Sequence, residues 1–288
     1  PANGRSMKLA LRLSYFGDCF FGSQMQPGLR TVEGEVIAAC KRLGLFEGWR
    51  EAGFAMAGRT DRGVHARCQV CSFFTDKPDR AIRALNRVLP EDVWCTAWAR
   101  VPDGFHPRYD ATSRTYRYYF IPVPGDISLM QEAAAEFIGR HDFSLFARTR
   151  GRDPARNILG ARVFAHGPFA VFEVAGESFL WRMVRGMATA LEQAGKGEVS
   201  VEDVARLLAG APGRRLPAAP PEGLVLWDIC HEIPFTPLPI DEKSRRCRDG
   251  RRHRYHTRMA EISALLAPGD EVCGRPDRAV HAEHNTDG

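Results

Sequence analysis

The sequence predicts a mixed α+β protein built around a largely antiparallel sheet, with helices packed against it. Two observations carry this. Short apolar runs with a two-residue period alternate with capped amphipathic segments, and a similar order of strands and helices occurs twice along the chain. With 288 residues, of which 44% are hydrophobic and 26% charged, the chain is long enough to bury a sizeable core.

Residues Lys8 to Tyr15 read as the first strand. Thr31 then caps a helix running to about Leu43, with Glu33 and Glu35 in the first turn, where they favour the positive end of the helix dipole. Strands follow near Phe54 to Ala57 and Gln69 to Phe74. A helix from about Asp79 to Val88 is stopped by Pro90, and a strand from Val93 to Val101 ends the first half.

In the second half, alternation over Arg114 to Ile121 places Arg114, Tyr116, Tyr118 and Phe120 on one face of a strand. A helix near Met130 to Ile138, strands near Ala161 to Ala165 and Phe169 to Ala175, and a helix from about Phe179 to Ala194 follow. Ser200 caps a helix over Val201 to Ala209, and Leu224 to Cys230 supplies the last strand. The shared order predicts two ferredoxin-like, RRM-like halves, residues 7–104 and 105–240, joined near Pro102 to Thr112. No internal sequence repeat accompanies it.

Residues 241–288 read as a basic extension in which Met259 to Leu266 forms a short helix. Between Lys243 and Arg258 stand Lys243, Arg245, Arg246, Arg248, Arg251, Arg252, Arg254 and Arg258, against one acid, Asp249. Such a run is either a solvated tail or an arm that contacts phosphates.

Composition narrows the function classes. No run of about eighteen apolar residues occurs and the N-terminal layout is not that of a secretory signal, which predicts a cytoplasmic protein without a membrane partner. The stretch Pro1 to Ser6 before Met7 is set aside. Eight cysteines at irregular spacings suit a reducing compartment. Cys68 and Cys71 form a C-x-x-C, but residues three apart on a strand point to opposite faces, so no metal is expected there. A net charge of +5, mostly from arginine, is compatible with a polyanionic partner. Phosphate-loop, dinucleotide and H-E-x-x-H motifs are missing, and no cofactor is expected.

The densest cluster of chemistry is Gly58-Arg59-Thr60-Asp61-Arg62-Gly63-Val64-His65-Ala66, a polar segment between two strand candidates. Asp61 stands between two arginines, and nearby cations hold a carboxylate ionised, as a nucleophile must be. The competing reading is a turn in which Asp61 caps backbone amides.

Gly58 to Phe73, GRTDRGVHARCQVCSF, resembles the signature of the TruA family of pseudouridine synthases. Phe105-His106-Pro107-Arg108 leading into Ser113 to Tyr118, Gly139 to Ser144, Phe179 to Arg185, and Ala219 to Leu226 match the same family in order. The resemblance covers about Met7 to Cys230 and implies the pseudouridine synthase fold. It implies Asp61 as the catalytic aspartate, Arg185 as its partner, and Tyr116 as the ring stacking on the target uracil and a candidate for removing its C5 proton. Arg59 resembles the arginine that holds the flipped nucleotide, and Leu224 an apolar wall of the pocket. Arg62 and His65, from the same loop, are read as substrate contacts. The Gly139 to Ser144 match is read as a helix-terminating turn that packs Phe143. Trp181 and Arg182 occupy positions that vary in the family and are read as outside the core roles, as is Glu222.

The family resemblance further implies a homodimer acting on uridines 38 to 40 of the tRNA anticodon stem-loop. The reaction breaks the bond from ribose C1′ to N1 of uracil and rejoins the ring through C5, with no electron carrier. Two other readings stand beside it. One is a non-catalytic RNA-binding adaptor or chaperone, for which a carboxylate in a basic cleft would be a liability. The other is a metal-dependent nuclease, for which a compact ligand set is lacking.

Overall fold

The alternating segments pair into one sheet of ten strands in the computed structural model, which describes residues 6–210 and 212–239, with 242, 245, 246, 249, 250, 252, 253 and 257. The strands are β1 (Met7–Tyr15), β2 (Ala55–Met56), β3 (His65–Thr75), β4 (Val93–Arg100), β5 (Ala111–Phe120), β6 (Gly139–Asp142), β7 (Ala155–His166), β8 (Phe169–Gly176), β9 (Leu224–His231) and β10 (Thr236–Pro237). The helices are α1 (Val32–Arg42), α2 (Pro78–Val88), α3 (Ile127–Ala135), α4 (Met183–Gly195) and α5 (Val201–Leu208). Residues to Ser244 form one compact unit, and those from Arg245 a second. In the second, Arg252 and Asp249 lie 3.9 Å apart. The helix expected over Met259 to Leu266 falls outside the described residues.

The strand order is β10-β4-β1-β3-β9-β5-β8-β7-β6, with β2 also on β3. In the first half β4, β1, β3 and β2 pair antiparallel, and in the second β9, β5, β8 and β7 do the same, with β6 added at the edge. This is the ferredoxin-like order twice over. The halves meet where β3 and β9 run parallel for a short stretch, His65 opposite Val225 and Ala66 opposite Leu226. The chain entering β3 there is the Asp61 loop.

Local chemistry explains most element bounds. The Thr31 hydroxyl accepts from the Gly34 N–H at the start of α1, and Lys41 and Arg42 complement its C-terminal end. At α5, Ser200 and Asp203 form a reciprocal capping box. Three departures from expectation have physical causes. α3 begins earlier because the Asp126 carboxylate caps it through the Ser128 N–H. Gly139 to Asp142 is a strand rather than a terminating turn, since its backbone pairs with β7 from Ile158 to Ala155 while Phe143 is fully buried beyond it. α4 begins at Met183 rather than Phe179 because Arg182 takes a left-handed conformation, φ 65°, and Trp181 bridges to Arg148.

Two large cores lie on either side of the seam. One joins α1 and α2 to β1 and β3 through residues such as Leu11, Phe73 and Leu85, and the other joins α3, α4 and α5 to β5 and β8 through residues such as Phe137, Phe172 and Met187. Tyr116 packs against both. Its neighbour Arg117 points the other way, into a ladder on which Arg117 lies 3.6 Å and Arg67 4.7 Å from the Trp227 ring. Glu173 accepts from both Arg117 and Arg162, and Arg162 lies over Phe164.

Helix α4 approaches the backbone at Phe146 closely through Gly186. A Cβ there would lie 2.0 Å from the Phe146 carbonyl oxygen. Gly186→Ala is therefore expected to destabilise the fold by about 1–3 kcal/mol through overpacking, seen as a lowered Tm in thermal denaturation; an unchanged Tm would show that α4 does not approach so closely.

Candidate active site

The loop before β3 is held through the backbone of Gly58, Thr60, Asp61 and Val64. Gln69, fully buried, accepts from the Gly58 N–H at 3.2 Å and donates to the Gly58 carbonyl at 3.0 Å. The Thr60 N–H donates to Ser23 Oγ at 2.8 Å, its carbonyl accepts from the Ser23 N–H, and its hydroxyl pairs with the Tyr15 hydroxyl at 2.9 Å. Burial pushes the Tyr15 phenol up to about 12, so at neutral pH it remains an uncharged link. The Val64 N–H donates to the Asp61 carbonyl, closing the turn. Gly17 lies so close that a Cβ would meet the Val64 carbonyl oxygen at 2.2 Å. These bonds fix the backbone on both sides of Asp61.

Its carboxylate goes to two side chains rather than to backbone amides. Arg185 Nη1 donates to Oδ2 at 2.9 Å, and Trp181 Nε1 donates to Oδ1 at 2.8 Å. The Arg185 side chain is 10% exposed and that of Asp61 27%, so this is a largely dry guanidinium facing a carboxylate open on one side. Arg185 is itself anchored. Its Nε donates to the Ala219 carbonyl, and the Ala219 N–H returns a bond to the Arg185 carbonyl. One turn on, Thr189 Oγ1 donates to the Pro217 carbonyl. A charge-assisted pair of this kind is geometrically exact and costly to break on one side only.

Trp181 requires a correction. Read from the sequence as outside the core roles, it is a direct partner of Asp61, because the left-handed turn at Arg182 swings residue 181 off the helix and over the loop. Arg182 goes with it and stacks 4.8 Å from the indole. An aromatic residue immediately before an apolar helical run gave no periodic signal that distinguishes a ligand of Asp61 from core.

Around the carboxylate opens a cleft of about 830 Å³. Arg59, Arg62, Arg108, Arg114, Arg148, Arg150, Arg152, Arg156, Arg182 and Arg185 line it, against two carboxylates, Asp61 and Glu177. Tyr116 and Leu224 form part of the wall, Tyr116 edge-on to Phe179 with ring centroids 5.1 Å apart. Burial raises the Tyr116 phenol well above its usual range, with Tyr15 and Asp61 adding to the effect. Arg59 and Arg62 are exposed at the rim, Arg62 stacked 4.5 Å from Phe21.

The structure does not bring His65 to this cleft. Its Nδ1 accepts from the Gly17 N–H at 3.1 Å and its Nε2 lies 3.9 Å from Asp18, so it ties the β1–α1 connection to the start of β3. Conversely, Phe21 and Tyr109 line the cleft although neither was singled out. Tyr109 is 76% exposed, which nothing in the linear pattern distinguishes from a turn residue.

Cys68 and Cys71 diverge as strand geometry requires. Cys71 lies near Cys95 and Cys40, whereas Cys68 lies near Arg12 and Asp228, and burial raises every one of these four thiols. Among the described residues no group of three or more His, Cys, Asp or Glu side chains is placed to hold a metal, and no helix is long and apolar enough to cross a membrane.

Residues 133–232 match the family model described as tRNA pseudouridine synthase. The chain is 69% identical over 261 residues to tRNA pseudouridine synthase A of Methanoculleus marisnigri, an alignment covering 91% of this chain and 96% of that protein. It is 54% identical to tRNA pseudouridine synthase A of Methanosphaerula palustris, over 83% of this chain and 85% of that one. The enzyme of that name from Methanocorpusculum labreanum is 52% identical, with the same coverages. A chain in the crystal structure of a Cbf5-Nop10-Gar1 complex aligns over 64% of this chain and 44% of its own, at TM-score 0.33 and 16% identity, a likeness too slight to argue from.

Replacing Gln69 by Leu would strand the N–H and carbonyl of Gly58. The expected cost is about 1–3 kcal/mol for each buried group left unpaired, read as a lower denaturation midpoint in urea together with slower turnover; an unchanged midpoint would mean the loop is held by other means.

Proposed function

The chain belongs to the tRNA pseudouridine synthase A family, and on that premise we propose that Asp61 acts directly on a uridine everted from the anticodon stem-loop of tRNA, at positions 38 to 40. The enzyme is an isomerase. The bond from C1′ to N1 breaks, the uracil turns, a bond from C1′ to C5 forms, and the proton lost from C5 is matched by one gained at N1. Atoms and electrons balance without a co-reactant.

The observation that carries this reading is the environment of one carboxylate. Asp61 is held from behind by Arg185 and Trp181 while it opens onto a cleft lined with guanidinium groups. Such a cleft attracts a polyanion and replaces phosphate counterions. A base drawn out of a stem loses stacking and pairing worth a few kcal/mol, which aromatic and cationic walls restore. In this reading Tyr116 stacks on the uracil, Leu224 backs it, and Arg59 and Arg62 at the rim hold the opened strand. The neutral Tyr116 phenol makes its role as a plate stronger than a role in removing the C5 proton. Either direct attack on the sugar or base, or stabilisation of a glycal-like intermediate, uses the carboxylate in this position. A cytoplasmic homodimer gripping one tRNA belongs to the same proposal.

The test is to incubate the protein with unmodified tRNA transcripts and map pseudouridine by chemical labelling. Asp61→Asn is expected to reduce product formation by at least about 10³-fold, as for loss of a reacting group, while the tRNA Kd stays within about threefold. Turnover retained by Asp61→Asn would remove Asp61 from the mechanism, and pseudouridine elsewhere than 38 to 40 would overturn the assigned positions.

A further inference from the structure

Trp181 joins two parts of the site that nothing so far connects. An indole N–H is a donor with no acceptor capacity, and here it is committed to Asp61 Oδ1 at 2.8 Å. The other carboxylate oxygen belongs to Arg185. Two donors from different directions fix the plane of a carboxylate, which a single donor leaves free to rotate.

The faces of the same indole carry cations. Arg150 lies 3.7 Å from the ring centroid, Arg182 4.8 Å and Arg148 5.1 Å. None of the three forms an ion pair with a carboxylate among the described residues. All three border the cleft, and Arg148 and Arg182 also line a neighbouring groove of about 740 Å³ that contains Arg214 and Arg215. The backbone supports the arrangement. The Arg148 N–H donates to the Trp181 carbonyl at 2.9 Å, and both Arg150 and Arg182 adopt left-handed conformations, φ 50° and φ 65°. Non-glycine residues enter that region against the steric preference of their Cβ, so the surroundings hold both turns in place, and such outliers gather where a site needs them.

We infer that Trp181 is the positioning residue of the Asp61 carboxylate and, through its ring faces, the seat of an arginine grip on the phosphodiester backbone of the substrate RNA. One side chain thus sets both the reacting carboxylate and the strand it acts upon. The inference rests on the proposed role of Asp61 and adds to it a residue that acts through that carboxylate rather than on the uracil.

The two functions separate in substitutions. Trp181→Phe keeps a ring and removes the N–H. It is expected to lower the single-turnover rate constant at saturating tRNA by roughly 10- to 100-fold, the range for one hydrogen bond to a charged group, while the tRNA Kd stays within about twofold. Trp181→Leu removes the ring as well, and should in addition raise Kd and make the plot of log Kd against log salt shallower by about one for each arginine released. A wild-type rate in Trp181→Phe overturns the positioning role, and an unchanged Kd and salt slope in Trp181→Leu overturns the phosphate seat. A measurement that needs no Trp181 variant to fold completes the test. Of the indole N–H resonances from the five tryptophans, one is expected to move in Asp61→Ala relative to wild type, and if none moves the hydrogen bond is not there. Should wild-type protein form no pseudouridine in tRNA at all, the functional reading fails, whatever the resonances show.

Discussion

The ion pair between Asp61 and Arg185 ties the two halves together at the seam. Its partners come from opposite halves of the sheet, one from the loop leading into β3 and the other from the first turn of α4. Arg185 is the member that needs its partner most. A guanidinium with a 10% exposed side chain, deprived of its carboxylate, would sit as an uncompensated charge among apolar residues such as Met183, Val184 and Met187. The parallel contact of β3 with β9 is short, and this pair joins the halves together with Tyr116, packed on both cores, Val64 in the second core and Leu226 and Ile229 in the first. If Asp61 acts as proposed, stability and chemistry are drawn from one contact.

That contact is prepared from the loop side by neutral groups. Ser23, Tyr15 and Gln69 satisfy the backbone of Gly58 and Thr60 and the Thr60 hydroxyl without adding charge. The choice matters physically. A charged residue in any of these buried places would compete with Arg185 for Asp61 or repel it, whereas hydroxyls and an amide fix geometry and leave the local field to the arginines.

Much of this was legible in the sequence. Periodicity, capping residues and prolines located β1, α1, α2, β4, β8, α5 and β9 to within a few residues, because each is set by local chemistry. The Asp61 loop and Arg185 were legible through the resemblance of their segments to a family. What the linear pattern hid was set by tertiary contact. α3 shifted to a cap at Asp126, and Gly139 to Asp142 became a strand because β7 offered its edge. His65 turned to the Gly17 N–H instead of the cleft. Trp181 was misjudged because its role follows from a left-handed residue after it, and backbone handedness at a non-glycine residue leaves no trace in composition. Tyr109 and Phe21 were overlooked because an exposed ring in a loop looks the same whether or not a cleft lies beneath it.

The ladder of Arg67, Trp227, Arg117, Glu173 and Arg162 on the other side of the central strands has a bearing on how the molecule answers its ionic surroundings. Contacts between stacked rings and guanidinium planes act over a few ångströms, well inside the screening distance of about 8 Å at physiological ionic strength. The pull of a cationic trough on a distant polyelectrolyte acts beyond that distance and fades as ions are added. Brine should thus loosen the enzyme's hold on its cargo long before it unstitches the back of the sheet, leaving a folded catalyst waiting for dilution.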